Sequence, residues 1–113
     1  MAKITTHVLS SQSGTHAAEV EVKIYSGRKK IFVGKTDKGG RLCAEIDISS
    51  FSQEDEFHIS FDIGSYFKKE KNDINGVIVK NSSLTFNMYD NSANYHIPII
   101  ISSYGCSYWW SGK

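Results

Sequence analysis

Three side chains able to move protons or steady negative charge come from well-separated parts of this chain: His7, Arg41 and His96. An imidazole titrates near pH 6.5, so it can take a proton from water near neutrality or give one to a departing atom. A guanidinium stays charged and presents a planar fork of donors, suited to a carbonyl-lined ring and a developing oxyanion. Each residue also has a plainer reading. A lone histidine is usually an ordinary polar residue, and an arginine after Gly39-Gly40 is usually part of a surface turn. Spacing alone does not bring the three together.

The surrounding segments favour rigid support. His7 lies in Ile4-Thr5-Thr6-His7-Val8-Leu9, and His96 lies in Tyr95-His96-Ile97-Pro98-Ile99-Ile100-Ile101. Strand side chains alternate between faces, so Thr5, His7 and Leu9 share one face. His96, Pro98 and Ile100 share another, while Tyr95, Ile97, Ile99 and Ile101 form the greasier side. Both histidines are therefore expected to point away from the core.

Strand patterns recur over 4–10, 18–26, 29–35, 41–45, 56–63, 77–79 with 82–89, 94–102 and 105–111. Turn residues separate them, at Ser11-Gln12-Ser13-Gly14, Ser26-Gly27, Asp37-Lys38-Gly39-Gly40 and Asp90-Asn91-Ser92. Val20, Val22 and Ile24, then Phe57, Ile59, Phe61 and Ile63, alternate with polar neighbours as half-buried strands do. The one helix candidate runs from Ser65 to about Lys71, with Ser65 as its cap. Pro98 inside a strand pattern is expected at an edge or at a locally unpaired position. The expectation is a single all-β domain over 1–113, a sandwich or barrel.

Composition excludes several classes. A chain of 113 residues with net charge +1 carries no broad basic footprint for nucleic acid. Its longest isoleucine run is far too short for a membrane span. Arg28-Lys29-Lys30 and Lys68-Lys69-Glu70-Lys71 read as solvated surface, and Glu54-Asp55-Glu56 as a solvated lead into a strand. Cys43 and Cys106 form no CxxC pair, so no metal site is expected, and they read as small, partly buried apolar residues. The Asn81-Ser82-Ser83 sequon matters only in a secreted protein. Met1-Ala2-Lys3 runs straight into a strand without a leader pattern, which gives a cytoplasmic expectation, or a periplasmic one if a leader has been removed. Nucleophile elbows, phosphate-binding glycine loops and HExxH are absent.

The opening Ile4-Thr5-Thr6-His7-Val8-Leu9, with Gly14 to Val22, resembles the start of the 5-hydroxyisourate hydrolases, the enzymatic branch of the transthyretin-like family. Lys35-Thr36-Asp37-Lys38-Gly39-Gly40-Arg41 is similar to that family's central turn, which delivers an arginine. Asp62-Ile63-Gly64-Ser65-Tyr66-Phe67 resembles its strand-to-helix junction. Tyr95-His96-Ile97-Pro98 with Ser102-Ser103-Tyr104-Gly105 resembles its C-terminal signature. The resemblance runs in order over nearly the whole chain. It implies an eight-stranded β-sandwich with one short helix, and a homotetramer with sites between dimers. It also implies hydrolysis of a cyclic amide in 5-hydroxyisourate by His7, Arg41 and His96, with no cofactor. Transthyretin itself, the hormone-carrying branch, keeps none of these three residue types.

The tail departs from the pattern. The hydrolases finish in Tyr-Arg-Gly-Ser, whereas this chain finishes in Trp109, Trp110, Ser111, Gly112 and Lys113. The tail arginine is lost, and Cys106 replaces a usual tyrosine. Trp109 stands where the tyrosine would and offers a flat apolar wall beside a substrate. Trp110 stands where the arginine would and supplies one N–H donor. Ser111 matches the family serine after a shift of one residue. These three are the expected substrate-binding residues. A channel so altered also allows a second reading, a transthyretin-like protein that binds a small molecule without turnover, and a third, a structural interaction module.

Overall fold

The computed structural model describes residues 1–70 and 77–112. Two sheets face each other. The first is built on the central strand β1 (Ala2–Ser10). On one flank β1 pairs antiparallel with β5 (Arg41–Ile46) along its first half and with β2 (Thr15–His16) at its end. On the other flank it pairs parallel with β8 (Asn94–His96) and then β9 (Ile99–Ser102). Outside these run β11 (Ser111–Gly112) beside β8 and β10 (Gly105–Tyr108) beside β9. The second sheet has the order β4 (Lys29–Lys35), β3 (Glu21–Ser26), β6 (Phe57–Asp62), β7 (Asn81–Phe86). With β8 and β9 taken as one interrupted strand, and the two-residue β2 and β11 as extensions, the eight-stranded sandwich expected from the resemblance is recovered.

Alternation drives the layering. Ile4, Val8, Ala44, Ile99 and Ile101 from the first sheet meet Val22, Ile24, Phe57, Ile59 and Phe61 from the second. Burying a side chain such as Val8 or Ile99 contributes about 1.5–3 kcal/mol. Thr6, also buried, donates from Oγ1 to the Ile97 carbonyl at 2.6 Å, satisfying backbone where the pairing changes from β8 to β9.

Several sequence expectations need adjustment. The 18–26 segment enters a strand only at Glu21, and 77–79 precedes β7 without being a strand. The 94–102 segment breaks at Ile97-Pro98, and the break buries Ile97, Pro98 and Ile99 in succession, so Pro98 leaves the face expected for it. Its missing N–H falls in the gap between the Thr5–His96 and Val8–Ile99 pairs, the locally unpaired alternative. The helix α1 (Ile63–Glu70) starts two residues earlier than expected. Its first turn is capped by Asp62, whose Oδ1 accepts from the Ser65 N–H at 3.1 Å, and the Gly64 N–H is taken by the Lys80 carbonyl. Asp62 wins because the chain leaves β6 there with a carboxylate at the N-terminal end of the helix dipole. Lys71 lies outside the described residues. Both cysteines are exposed and free, not partly buried: Cys43 lies on the outward face of β5, and Cys106 lies on the edge strand β10 with its Sγ 3.2 Å from the Ser82 hydroxyl.

Candidate active site

His7, Arg41 and His96 reach the same outward face of the first sheet, and strand pairing is the cause. Along β1, Thr6 and Val8 point into the core while Thr5 and His7 point out. Arg41 opens β5 directly opposite His7, and Cβ atoms of such a pair stand about 4.5–5.5 Å apart. On the other flank His96 lies opposite Thr5, roughly 8 Å diagonally from His7 given ordinary strand spacing and rise. The Thr5 hydroxyl and His96 Nδ1 are 2.8 Å apart, which orients the ring and leaves Nε2 as the nitrogen to meet a substrate. Beyond β8, Ser111 lies opposite His96. Cys43, Thr5, His96 and Ser111 thus form one row across four strands, with Arg41 and His7 in the next row.

The turn before Arg41 is built to place it. Asp37 Oδ1 accepts from the Gly39 and Arg41 N–H groups at 2.9 Å each, and the Asp37 carbonyl accepts from Gly40 N–H. Gly40 has φ +74°, and its carbonyl accepts from Val8 N–H at 2.8 Å. A Cβ there would lie 2.4 Å from the Val8 carbonyl oxygen, so only glycine lets β5 begin this close to β1. The backbone hydrogen bond from Arg41 is the main reason the Asp37 carboxyl sits below its ordinary range, with Gly39 and the charges of Arg41 and His7 adding to it. Among the described residues the ion pairs join Lys23 to Glu21 and Lys69 to Glu19, leaving the Arg41 guanidinium uncommitted.

His7 is held below the ordinary histidine value. Partial burial is the largest cause, followed by the Arg41 guanidinium and then His16, with His96 adding a little. A backbone hydrogen bond at Gly39 opposes them. A neutral imidazole beside a free guanidinium is a base next to an oxyanion stabiliser. Among the described residues no group of three or more His, Cys, Asp or Glu is arranged to hold a metal ion, and no helix is long and apolar enough to cross a membrane.

Ser111 joins the row beside His96 and also lines, with Trp110, Leu84, Phe86, Tyr95 and Ile97, a largely apolar hollow of about 380 Å³. The backbone N–H of Trp109 donates to the Pro98 carbonyl at 3.4 Å, and its ring stays about half exposed, at 46%. Two further neighbours of the site were not legible as such: Cys43, whose exposure only the register reveals, and His16. His16 Nδ1 lies 2.9 Å from His7 Nε2. A hairpin return after Ser13-Gly14 was the available signal, because it folds residue 16 back towards β1.

Two facing sheets, one short helix and a polar outward face carrying an arginine and paired histidines define a transthyretin-like sandwich. The chain belongs to the HIUase/Transthyretin family, whose model matches residues 4–110. It is 29% identical over 108 residues to the 5-hydroxyisourate hydrolase of Salmonella typhimurium, covering 92% of this chain and 76% of that one. The solved structure of Klebsiella pneumoniae 5-hydroxyisourate hydrolase superposes with a TM-score of 0.79 at 19% identity, covering 98% of this chain and 99% of that one. Transthyretin from Sparus aurata superposes with a TM-score of 0.82 at 16% identity, covering 97% of each chain. The fold is thus shared by a 5-hydroxyisourate hydrolase and a transthyretin alike, and the distinction rests with the side chains.

Proposed function

We propose that this protein hydrolyses 5-hydroxyisourate to 2-oxo-4-hydroxy-4-carboxy-5-ureidoimidazoline, in urate catabolism. The observation that carries the reading is one outward face on which Arg41 stands across from His7 while Thr5 anchors His96. The lowered pKa of His7 supports casting it as the base. It takes a proton from water as the water oxygen bonds to the cyclic amide carbon. Arg41 steadies the oxyanion that forms. As the C–N bond breaks, His96 in its protonated form gives a proton to the departing nitrogen, so the elements of water are added in balance. Ser111 beside His96 is suited to hold a substrate carbonyl or N–H, and Trp109 and Trp110 to supply flat apolar walls. The chemistry needs no organic cofactor.

Urate oxidase generates the unstable substrate from urate, and its ultraviolet decay reports turnover. Wild-type protein is expected to accelerate that decay, and His96→Ala to lose roughly 10²–10⁴-fold of the rate. A wild type no faster than His96→Ala sinks the hydrolase reading and favours a carrier. We further propose a homotetramer in which a second copy covers this face, because a sheet surface open to water would weaken every charge interaction the scheme uses. Sedimentation at micromolar concentration is expected to give a species about four times the mass of one chain; a lone monomer peak rules out that assembly.

A further inference from the structure

His16 is the remaining histidine at this face, and the hydrolysis scheme leaves it without a task. Its position is well determined. Thr15 pairs with Ser10, the Ala17 N–H donates to the Val8 carbonyl at 2.9 Å, and the Ala17 carbonyl accepts from buried Thr36 Oγ1 at 2.8 Å. The strand pairing sets His16 across from Leu9, on the face His7 shares. The two rings lie with centroids 5.0 Å apart and His7 Nε2 2.9 Å from His16 Nδ1.

We propose that His16 is a positioning residue for His7, its hydrogen bond fixing the orientation and tautomer of the His7 ring so that the two imidazoles act as one proton-holding pair. This rests on the hydrolase reading above for its catalytic meaning, but not for its geometry. Two facing ring nitrogens at hydrogen-bond distance require a single hydrogen between them. That condition holds when both rings are neutral and when the pair carries one extra proton. It fails on a second protonation, when both nitrogens bear hydrogen. The contact therefore survives one added proton and not a second. The groups facing it act in both directions. Arg41 from β5 and His96 from β8 oppose added positive charge on His7, whereas Asp37 from the turn and the backbone hydrogen bond at Gly39 favour it. In its basic state the pair can take the proton of the attacking water. It carries that proton as a shared charge, and later gives it up to solvent.

The test compares His16→Phe, which keeps a ring of similar size without nitrogens, with His16→Asn, whose amide can occupy the Nδ1 position. Ring-nitrogen NMR of the substrate-free protein reads the His7 tautomer and its titration, and the urate-coupled assay reads kcat/KM against pH. In His16→Phe, where only the Gly39 backbone contact still restrains the ring, the His7 tautomer populations are expected to shift and its titration to move to higher pH. The acid limb of kcat/KM should move the same way, and kcat should fall roughly tenfold, a part of what general acid–base catalysis supplies. His16→Asn should restore the single tautomer and return the acid limb towards its wild-type position. A folded His16→Phe whose His7 signals and pH profile overlay the wild type overturns the proposal. A wild type without hydrolysis, in which His16 still sets the His7 tautomer, removes the hydrolase reading and leaves the pairing standing.

Discussion

At the scale of single residues, the site divides into groups that meet the substrate and groups that aim them. Thr5 belongs to the second kind, because its hydroxyl lies 2.8 Å from His96 Nδ1. Thr5→Val keeps the branched shape and removes that partner. A hydrogen bond of ordinary net strength is worth about 0.5–1.5 kcal/mol, and the upper end of that range equals roughly tenfold in rate. Thr5→Val should therefore lower kcat by up to about tenfold while melting close to wild type, checked by the urate-coupled assay beside thermal unfolding. His7 sets a pH dependence at the same scale. Its pKa is depressed in the fold, so its neutral form persists below the ordinary value near 6.5. The acid limb of kcat/KM should accordingly be centred below that value, with activity at pH 6.5 above half its plateau. In stability terms the unfolded chain binds this proton more readily. The contribution is complete above the unfolded value and lost as pH falls through the folded one. A limb centred above 6.5 contradicts this.

At the scale of elements, the Asp37–Gly40 turn is the device that converts a sequence neighbour into a site residue. Asp37 gathers the N–H groups of Gly39 and Arg41, and Gly40 lets β5 start against β1. Gly40→Ala meets two obstacles, a left-handed φ of +74° and a backbone oxygen 2.4 Å from the new Cβ. The first alone costs about 1–3 kcal/mol, and the second forces β1 and β5 apart where His7 faces Arg41. The variant should melt on the order of 4 °C or more below wild type, and its folded fraction should lose rate as well. A thermal unfolding curve that overlays wild type refutes the account. Asp62 plays a similar part at α1, ending a strand and capping a helix with one side chain.

At the scale of the whole molecule, the sandwich supplies a rigid surface and leaves its chemistry facing outward. Ile4, Val8 and Ala44 anchor the inner side of β1 and β5, so the positions between them are committed to the outer side. A one-residue slip of β1 against β5 would send His7 into the core and Thr6 out. The hydrophobic pattern forbids that slip, and in doing so it fixes the site. A face of this kind encloses nothing by itself, which is why assembly belongs to the proposed function.

Much of this was legible beforehand. The alternation in residues 4–10 and 56–63 determined two strands and their buried sides, because a period of two in apolar residues has few other physical solutions. The outward direction of His7 and His96 followed from the same count. The Asp37–Gly40 turn was legible from its residue types. Other features were decided only by tertiary structure. Pairing partners and registers join residues 7 and 41, or 5 and 96, and no local pattern encodes which strands become neighbours. The exposure of Cys43, the inward turn of Pro98, the pairing of Ser111 with His96 and the meeting of His16 with His7 all depend on those registers. Local propensity acts over a few residues, whereas a shared face is a property of strands brought together from the two ends of the chain.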